Sequence, residues 1–528
     1  MADERARQRE ELHKAIWNIA NELRGSVDGW DFKQYVLCTM FYRFISEDLA
    51  GYLDAQEHAV GNPSFSYAAL ADTDVPPGIP DAIVAEKGFF IRPSALFQNV
   101  CAAANDGAGA KAFRADLNMT LEGVFQSVEA SATGTEAEGA IRGLFADFDV
   151  NSPKLGNTVA QRNDKLAAIM ARIRDLPLGN VAEAKIDAFG DAYEFLMTMY
   201  ASSAGKSGGE FFTPQEVCEL LARIATLGKN QVSKVYDPCC GSGGMLLRVA
   251  HVVGPDNVTR SFFGQDVNLT TYNLARMNML LHGVNFSKFD IALGDTLEEP
   301  AHWDDEPFEV ICSNPPYSIR WRGDDNPLAI NDERFKPAGV LAPKSKADLA
   351  FTMHMLSWLA PDGCAAIVEF PGVLYRGGKE GKIRKYLVDQ DKVDAVIQLP
   401  PNLFFGTTIA TCVLVLRHSH AGDGILFIDA TDEFVHSGNK NKLGEKNAER
   451  ILSAYEARAD EERFCRMVDR DEVAANGYNL SVSSYVDRTP PAEEVDIAEL
   501  NARIAQIVAR EQDLRQQIDA IVADLEGK

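Results

Sequence analysis

The run KVYDPCCGSGG, Lys234–Gly244, decides how the rest of the chain reads. β-Favouring residues lead into Asp237-Pro238, where proline removes the donor that a strand ladder needs. Gly241, Ser242, Gly243 and Gly244 follow at what is then a strand-to-helix turn. Glycines there let a ligand lie close against the backbone. Many ligands use such turns, so the run alone predicts a pocket without naming its occupant. Small-residue packing at a strand end accounts for the vicinal Cys239-Cys240.

Outward from this run the pattern repeats. KVYDP, SFFGQD, FDIALGD, FEVICSNPP, GCAAIVEFP, VDAVIQLP and IATCVLVLRH alternate with helical stretches. Such alternation predicts an α/β fold with a doubly wound, mainly parallel sheet. Ligands in these folds sit beyond the carboxyl ends of the strands. The second run ends in Asp266, placed either to accept hydrogen bonds from a ribose diol or to cap a helix. The third ends LGDTL, with Asp295 at its tip. The fourth, within EVICSNPPYSIRW (Glu309–Trp321), stops at Asn314-Pro315-Pro316-Tyr317. That corner reads either as a sharp turn with a surface tyrosine or as the fixed lip of a pocket. Upstream, GEFFTP (Gly209–Pro214) offers aromatic faces and a helix-starting Thr-Pro pair. Each feature alone has an explanation as turn or cap; four successive strand tips carrying them in order argue for a site.

With 528 residues, the chain exceeds one core, and about two to four domains are expected. Leu12, Ile16, Ile19 and Leu23 recur at helical spacing, a second apolar helix follows, and strand signals are scarce up to residue 160. Residues 1–160 are therefore expected to form an α-helical domain, 161–480 the α/β domain and 481–528 a helical tail. After Pro490-Pro491, Ile497, Leu500, Ile504, Ile507, Leu514, Ile518, Ile521 and Leu525 are spaced 3, 4, 3, 7, 4, 3 and 4 apart, with Glu511 in the vacant seam position. That heptad marks a coiled-coil helix for subunit assembly or a terminal helix folded back on its own domain.

The net charge of −25 argues against a protein that holds nucleic acid unaided through a basic surface. It leaves room for a subunit kept on nucleic acid by a more basic partner. No run reaches the roughly 18 apolar residues of a membrane span, and MADERARQREELHK lacks an apolar signal core. A cytoplasmic protein with no membrane partner is expected. The nine cysteines lack CxxC pairs and read as reduced thiols, so no metal site is expected. Gly205-Lys206-Ser207 imitates the end of a phosphate-binding loop, but the glycine required five positions earlier is Tyr200.

The order GEFFTP, DPCCGSGG, FFGQD, LGDTL, NPPY resembles the DNA adenine-N6 methyltransferases that use S-adenosyl-L-methionine. RGSVDGWDFKQYVL, AINDERF, VLAPKSKADLAF, FPGVLYRGG, LPPNLFFGTTIA and YNLSVSSYV narrow the resemblance to the modification (M) subunit of type I restriction–modification systems, over nearly the whole chain. The resemblance implies a Rossmann-like fold with cofactor contacts from Glu210, Phe211, Phe212, Thr213, Pro214 and Gln215 at the methionine end. Asp237, Gly241, Ser242, Gly243 and Gly244 would border the cofactor, Asp266 would hold the ribose and Asp295 the adenine amine. The family often has small apolar residues at Cys239-Cys240 and Glu at Asp266. Asn314, Pro315, Pro316 and Tyr317 would be catalytic, with the Asn314 side-chain oxygen and the Pro315 carbonyl accepting both amine hydrogens. Tyr317 would stack on an extruded base.

Phe404 or Phe405 is placed as a second base wall or in core packing. Arg376, Lys379, Lys382, Arg384 and Lys385 would meet DNA phosphates or form a solvated helix start. Implied partners are double-stranded DNA, a specificity subunit, a second copy of this chain and a restriction/translocase subunit. Alternatives are methylation of another planar amine, in protein glutamine or an RNA base, and a catalytically silent scaffold that binds cofactor.

Overall fold

The computed structural model describes residues 13, 14, 16, 29–178, 188–203, 212–326, 328–404, 407–418, 424–488 and 497–527. Leu12, Ile19, Leu23 and the Gly205-Lys206-Ser207 run lie outside them. One compact unit covers Met1–Val486 and a second covers Asp487–Lys528.

Described residues between 29 and 178 form helices and short 3-10 turns, without a strand. The long helix Gly29–Ala59 buries Tyr35, Phe41, Tyr42, Ile45 and Leu49. Arg43 on it is also buried, and its guanidinium donates to the carbonyls of Ile173 (2.6 Å) and Leu176 (3.1 Å). Ile173 belongs to the last turn of helix Val159–Arg174 and Leu176 lies just beyond it, where a cation satisfies orphan acceptors and the helix dipole together. Arg276, on helix Leu269–Leu281, reaches back to the carbonyls of Gly139 (3.0 Å) and Arg142 (2.8 Å). The Arg276 contacts fasten the helical region to the α/β part.

Nine strands form the main sheet: β1 (Val232–Asp237), β2 (Val258–Asp266), β3 (Phe289–Leu293), β4 (Phe308–Ser313), β5 (Leu359–Glu369), β6 (Val393–Gln398), β7 (Cys412–Leu416), β8 (Gly424–Asp429) and β11 (Cys465–Asp469). Their order is β11-β8-β6-β7-β5-β4-β1-β2-β3. β7 runs against β5 and β6, and β11 against β8, so seven strands (9 − 2) share one direction. The order reverses between β1 and β4, which pair in parallel. That switch point opens a crevice at the carboxyl ends, where ligands bind in such sheets. All seven strand runs read from the sequence are present. β8, β11 and the hairpin β9 (Val435–Ser437) with β10 (Lys440–Lys442) were not anticipated.

In the C-terminal unit, helix Ile497–Glu526 runs for 30 residues. Along it Leu500, Ile504, Ile507, Leu514, Ile518, Ile521 and Leu525 are exposed, a stripe of apolar side chains on one helix.

Candidate active site

β1 ends in Asp237, and the chain then turns through Gly241 and Gly243 at φ +52° and +77°. An L side chain is strained there, which is why glycine serves. Gly243 leads into helix Gly244–Val253. The turn is pinned from two sides. Gly241 N–H donates to Asp266 Oδ2 (3.0 Å), and Asn278 Nδ2 donates to the Ser242 carbonyl (2.9 Å). Asp266 also accepts from Asn268 N–H (2.8 Å) and the Thr271 hydroxyl (2.6 Å), while Asn268 caps helix Leu269–Leu281. Asp266 is thus not the helix cap. Its carboxyl lies above the usual carboxylate range because it is largely buried, a shift that those three donors oppose.

Asp237 is buried and accepts from the Ser313 hydroxyl (2.6 Å) and Cys239 N–H (3.0 Å). Burial pushes its pKa up to about 7, against those two donors. Burial likewise raises the Cys239 and Cys240 thiols, which stay protonated. Asp295, on the third tip, is exposed and accepts from Leu297 N–H (2.9 Å), so in the protein itself it caps a turn.

The fourth tip is held rigidly. Asn314 Nδ2 donates to Thr213 Oγ1 (3.0 Å), and the Tyr317 hydroxyl donates to Asn314 Oδ1 (2.6 Å). An amide oxygen has two lone pairs, so Asn314 Oδ1 retains one for a further donor. Burial holds the Tyr317 hydroxyl well above its ordinary pKa, with Glu369 adding to the shift, so it remains a donor. Ser318, at φ +52°, is kept in this unfavourable conformation by the buried Asp348 carboxylate, whose oxygens accept its N–H at 3.1 and 3.2 Å.

Phe212, Thr213, Gln215, Asp237, Gly241, Ser242, Gly244 and Asn314 line one cavity. Pro214 precedes helix Gln215–Ala225, and Pro315 and Pro316 follow Asn314. Glu210 and Phe211 lie outside the described residues. The structure adds Glu194, Met197, Arg248 and Asn278 to the wall. For Glu194 the sequence offers an acid set among apolar residues in YEFLM. Asn278 Oδ1 is buried without a hydrogen-bond partner, an acceptor free for a ligand donor. Acidic groups and this acceptor suit a cationic ligand, so the residues present fit S-adenosyl-L-methionine.

Other placements differ from one sequence alternative or the other. Phe404 is buried in the core, while Phe405 lies outside the described residues. Phe370 instead stands 6.5 Å from the Tyr317 ring, with the Arg376 guanidinium 5.1 Å from its own ring centre. Arg384 is buried and donates to the carbonyls of Tyr478 and Val373 (both 2.9 Å), which removes it from the phosphate-binding candidates. Lys385 pairs with Asp389, and Lys382 is exposed.

A doubly wound sheet with a glycine turn at its switch point and an Asn-Pro-Pro-Tyr corner on the next strand defines the class of S-adenosylmethionine-dependent amino-methyltransferases. Comparison with known proteins narrows this. The N-6 DNA methylase family model matches residues 184–494, and the HsdM N-terminal domain model matches 12–173. The type I restriction enzyme MpnII methylase subunit of Mycoplasma pneumoniae is 48% identical, covering 99% of this chain and 98% of its own. The crystal structure of a type I restriction-modification methyltransferase subunit from Streptococcus thermophilus superposes with TM-score 0.81 at 35% identity, over 91% of this chain and 100% of that one. A chain from a structural description of type I complex assembly matches with TM-score 0.63 over 98% of this chain and 99% of its own; at 19% identity it speaks for the fold. The chain belongs to the N-6 DNA methylase family, as a type I restriction-modification methylase subunit. It is an adenine-specific DNA methyltransferase with S-adenosylmethionine as its cofactor. Among the described residues no helix is long and apolar enough to cross a membrane.

Proposed function

We propose that Asn314 and Tyr317 present an extruded adenine of double-stranded DNA for methylation at N6, in a cytoplasmic complex whose target sequence is chosen by a separate specificity subunit. A second copy of this chain and a restriction/translocase subunit complete that complex. The observation that carries the reading is the Asn314 amide, fixed between Thr213 and Tyr317 on the wall of the glycine-turn cavity.

S-adenosylmethionine, when bound, supplies an electrophilic methyl group on a sulfonium. Phe212, Thr213, Pro214 and Gln215, with Glu210 and Phe211 before them, cover its methionine end. Asp237 and Gly241 to Gly244 border it, Asp266 takes the ribose hydroxyls and Asp295 the adenine amine.

An exocyclic adenine amine is a weak nucleophile because its lone pair is delocalised into the ring. The free lone pair of Asn314 Oδ1 and the Pro315 carbonyl accept its two hydrogens, which favours a pyramidal nitrogen with its lone pair aimed outward. Pro315 and Pro316 hold those acceptors so that they need no reorganisation during reaction. The Tyr317 ring stacks on the base once it has left the duplex, since the amine is unreachable inside it. The acidity of the chain and its exposed heptad helix support the division of labour with a specificity subunit.

The test is tritiated methyl transfer to plasmid DNA, with and without the co-expressed specificity subunit, followed by nucleoside analysis. N6-methyladenine that depends on the partner is expected. Equal, site-specific methylation by the chain alone would contradict the proposed division of labour.

A further inference from the structure

Helix Ala188–Ser203 lies outside the strand-tip motifs, yet it contributes to the cavity wall. Tyr193 anchors it, donating its hydroxyl to the Leu274 carbonyl at 3.0 Å within the core. The next residue, Glu194, lines the cavity with its side chain 19% exposed. One carboxylate oxygen accepts from Gln215 Nε2, and the other lies 3.8 Å from His282 Nε2. A carboxylate offers about four acceptor positions, so capacity remains for another donor.

Arg248, on helix Gly244–Val253, lines the same cavity with its side chain 21% exposed. Its guanidinium is 3.6 Å from Glu219 Oε2, too long for a good hydrogen bond. An anion and a cation thus border one cavity, each near some other group and neither paired with the other. Partly buried charges are costly unless something satisfies them. A ligand bearing an ammonium and a carboxylate on one carbon satisfies both. Asn278 Oδ1, the buried acceptor without a partner, belongs to the same wall.

We propose that Glu194 and Arg248 form the subsite for the α-amino-acid end of S-adenosylmethionine. Glu194 takes the ammonium and Arg248 the carboxylate, while Gln215 holds the Glu194 carboxylate in position. The proposal rests on the cofactor reading and adds to it a helix that lies before the glycine turn in the chain.

The test is calorimetric titration of the full-length chain with S-adenosylhomocysteine and with 5′-methylthioadenosine, which keeps the adenosine and sulfur but lacks the amino acid. Glu194→Gln and Arg248→Met should each weaken S-adenosylhomocysteine binding about tenfold or more, as loss of a charge-assisted contact does. Binding of 5′-methylthioadenosine should stay within about twofold of wild type, which also shows that the variants are folded. Unchanged S-adenosylhomocysteine affinity in either variant, or equal losses for both ligands, would overturn the subsite. A wild-type chain that binds neither ligand would overturn the cofactor reading itself, and the subsite with it.

Discussion

Ser313 donates its hydroxyl to Asp237 at 2.6 Å, joining the last residue of β4 to the last residue of β1. The two strands are neighbours at the sheet's switch point. One carboxylate therefore holds both the start of the glycine turn, through Cys239 N–H, and the residue that precedes Asn314. The glycine turn and the Asn314 corner share a single buried anchor.

Ser313→Ala should loosen that anchor. Removing a donor from a buried acid costs on the order of 1–3 kcal/mol. Urea unfolding should show a loss of that size, and methyl transfer should slow more than S-adenosylhomocysteine binding weakens. Wild-type stability and rate together would show that the two tips do not depend on each other.

Buried acids also set a pH dependence. Asp237 stands at about 7 against an ordinary 3.8, and Glu369 at about 8 against 4.5, both raised chiefly by burial. The folded protein keeps protons that the unfolded chain has already released. Their contribution to stability is thus complete below the ordinary carboxylate values and is lost as pH rises toward 7 and 8. Asp237→Asn retains a carbonyl acceptor for Ser313 and cannot ionise. Its stability relative to wild type should improve from pH 5 to about pH 7 and level off above it. A difference independent of pH, in urea midpoints taken across that range, would contradict the assignment.

Tyr317 contributes a hydroxyl and a ring, and substitution separates them. Tyr317→Phe loses the 2.6 Å bond to Asn314 and should lower the methylation rate about tenfold with little change in cofactor affinity. Tyr317→Ala removes the stacking face as well. It should slow the reaction further and abolish the fluorescence rise of 2-aminopurine placed at the target base. Full fluorescence in Tyr317→Ala would place the stacking face elsewhere, with Phe370 the next candidate.

The strand tips were legible because each is a local signal: apolar runs ending in glycine, acid or proline need no knowledge of the rest of the chain. Strand order was not. Nothing in the run IATCVLVLRH says that β7 inserts antiparallel between β5 and β6, and CRMVD carries too little β-character to announce an edge strand. Glu194 was hidden for a similar reason. Its place depends on Tyr193 meeting Leu274, 81 residues away. The sequence offered Arg384 as a phosphate contact or part of a solvated helix start; the fold instead buries it against the Tyr478 and Val373 carbonyls. The heptad was readable at the far end of the chain because its period needs no tertiary context.

That heptad gives a further prediction. Met1–Val486 is a compact unit in its own right. Deleting the residues after Pro491 should leave its melting temperature within about 2 °C of wild type, since little buried apolar area is lost. Co-elution with the specificity subunit should disappear. Unchanged co-elution on size-exclusion chromatography would refute the tail's part in assembly.

The central claim is that Asn314 acts on the base and not on the cofactor. Its most direct test is Asn314→Ala in complex with the specificity subunit, with S-adenosylhomocysteine affinity and N6-methyladenine formation measured on the same preparation. Affinity within a few-fold of wild type, with methylation reduced by about three orders of magnitude or more, is predicted. Methylation close to wild type in that variant would contradict the account.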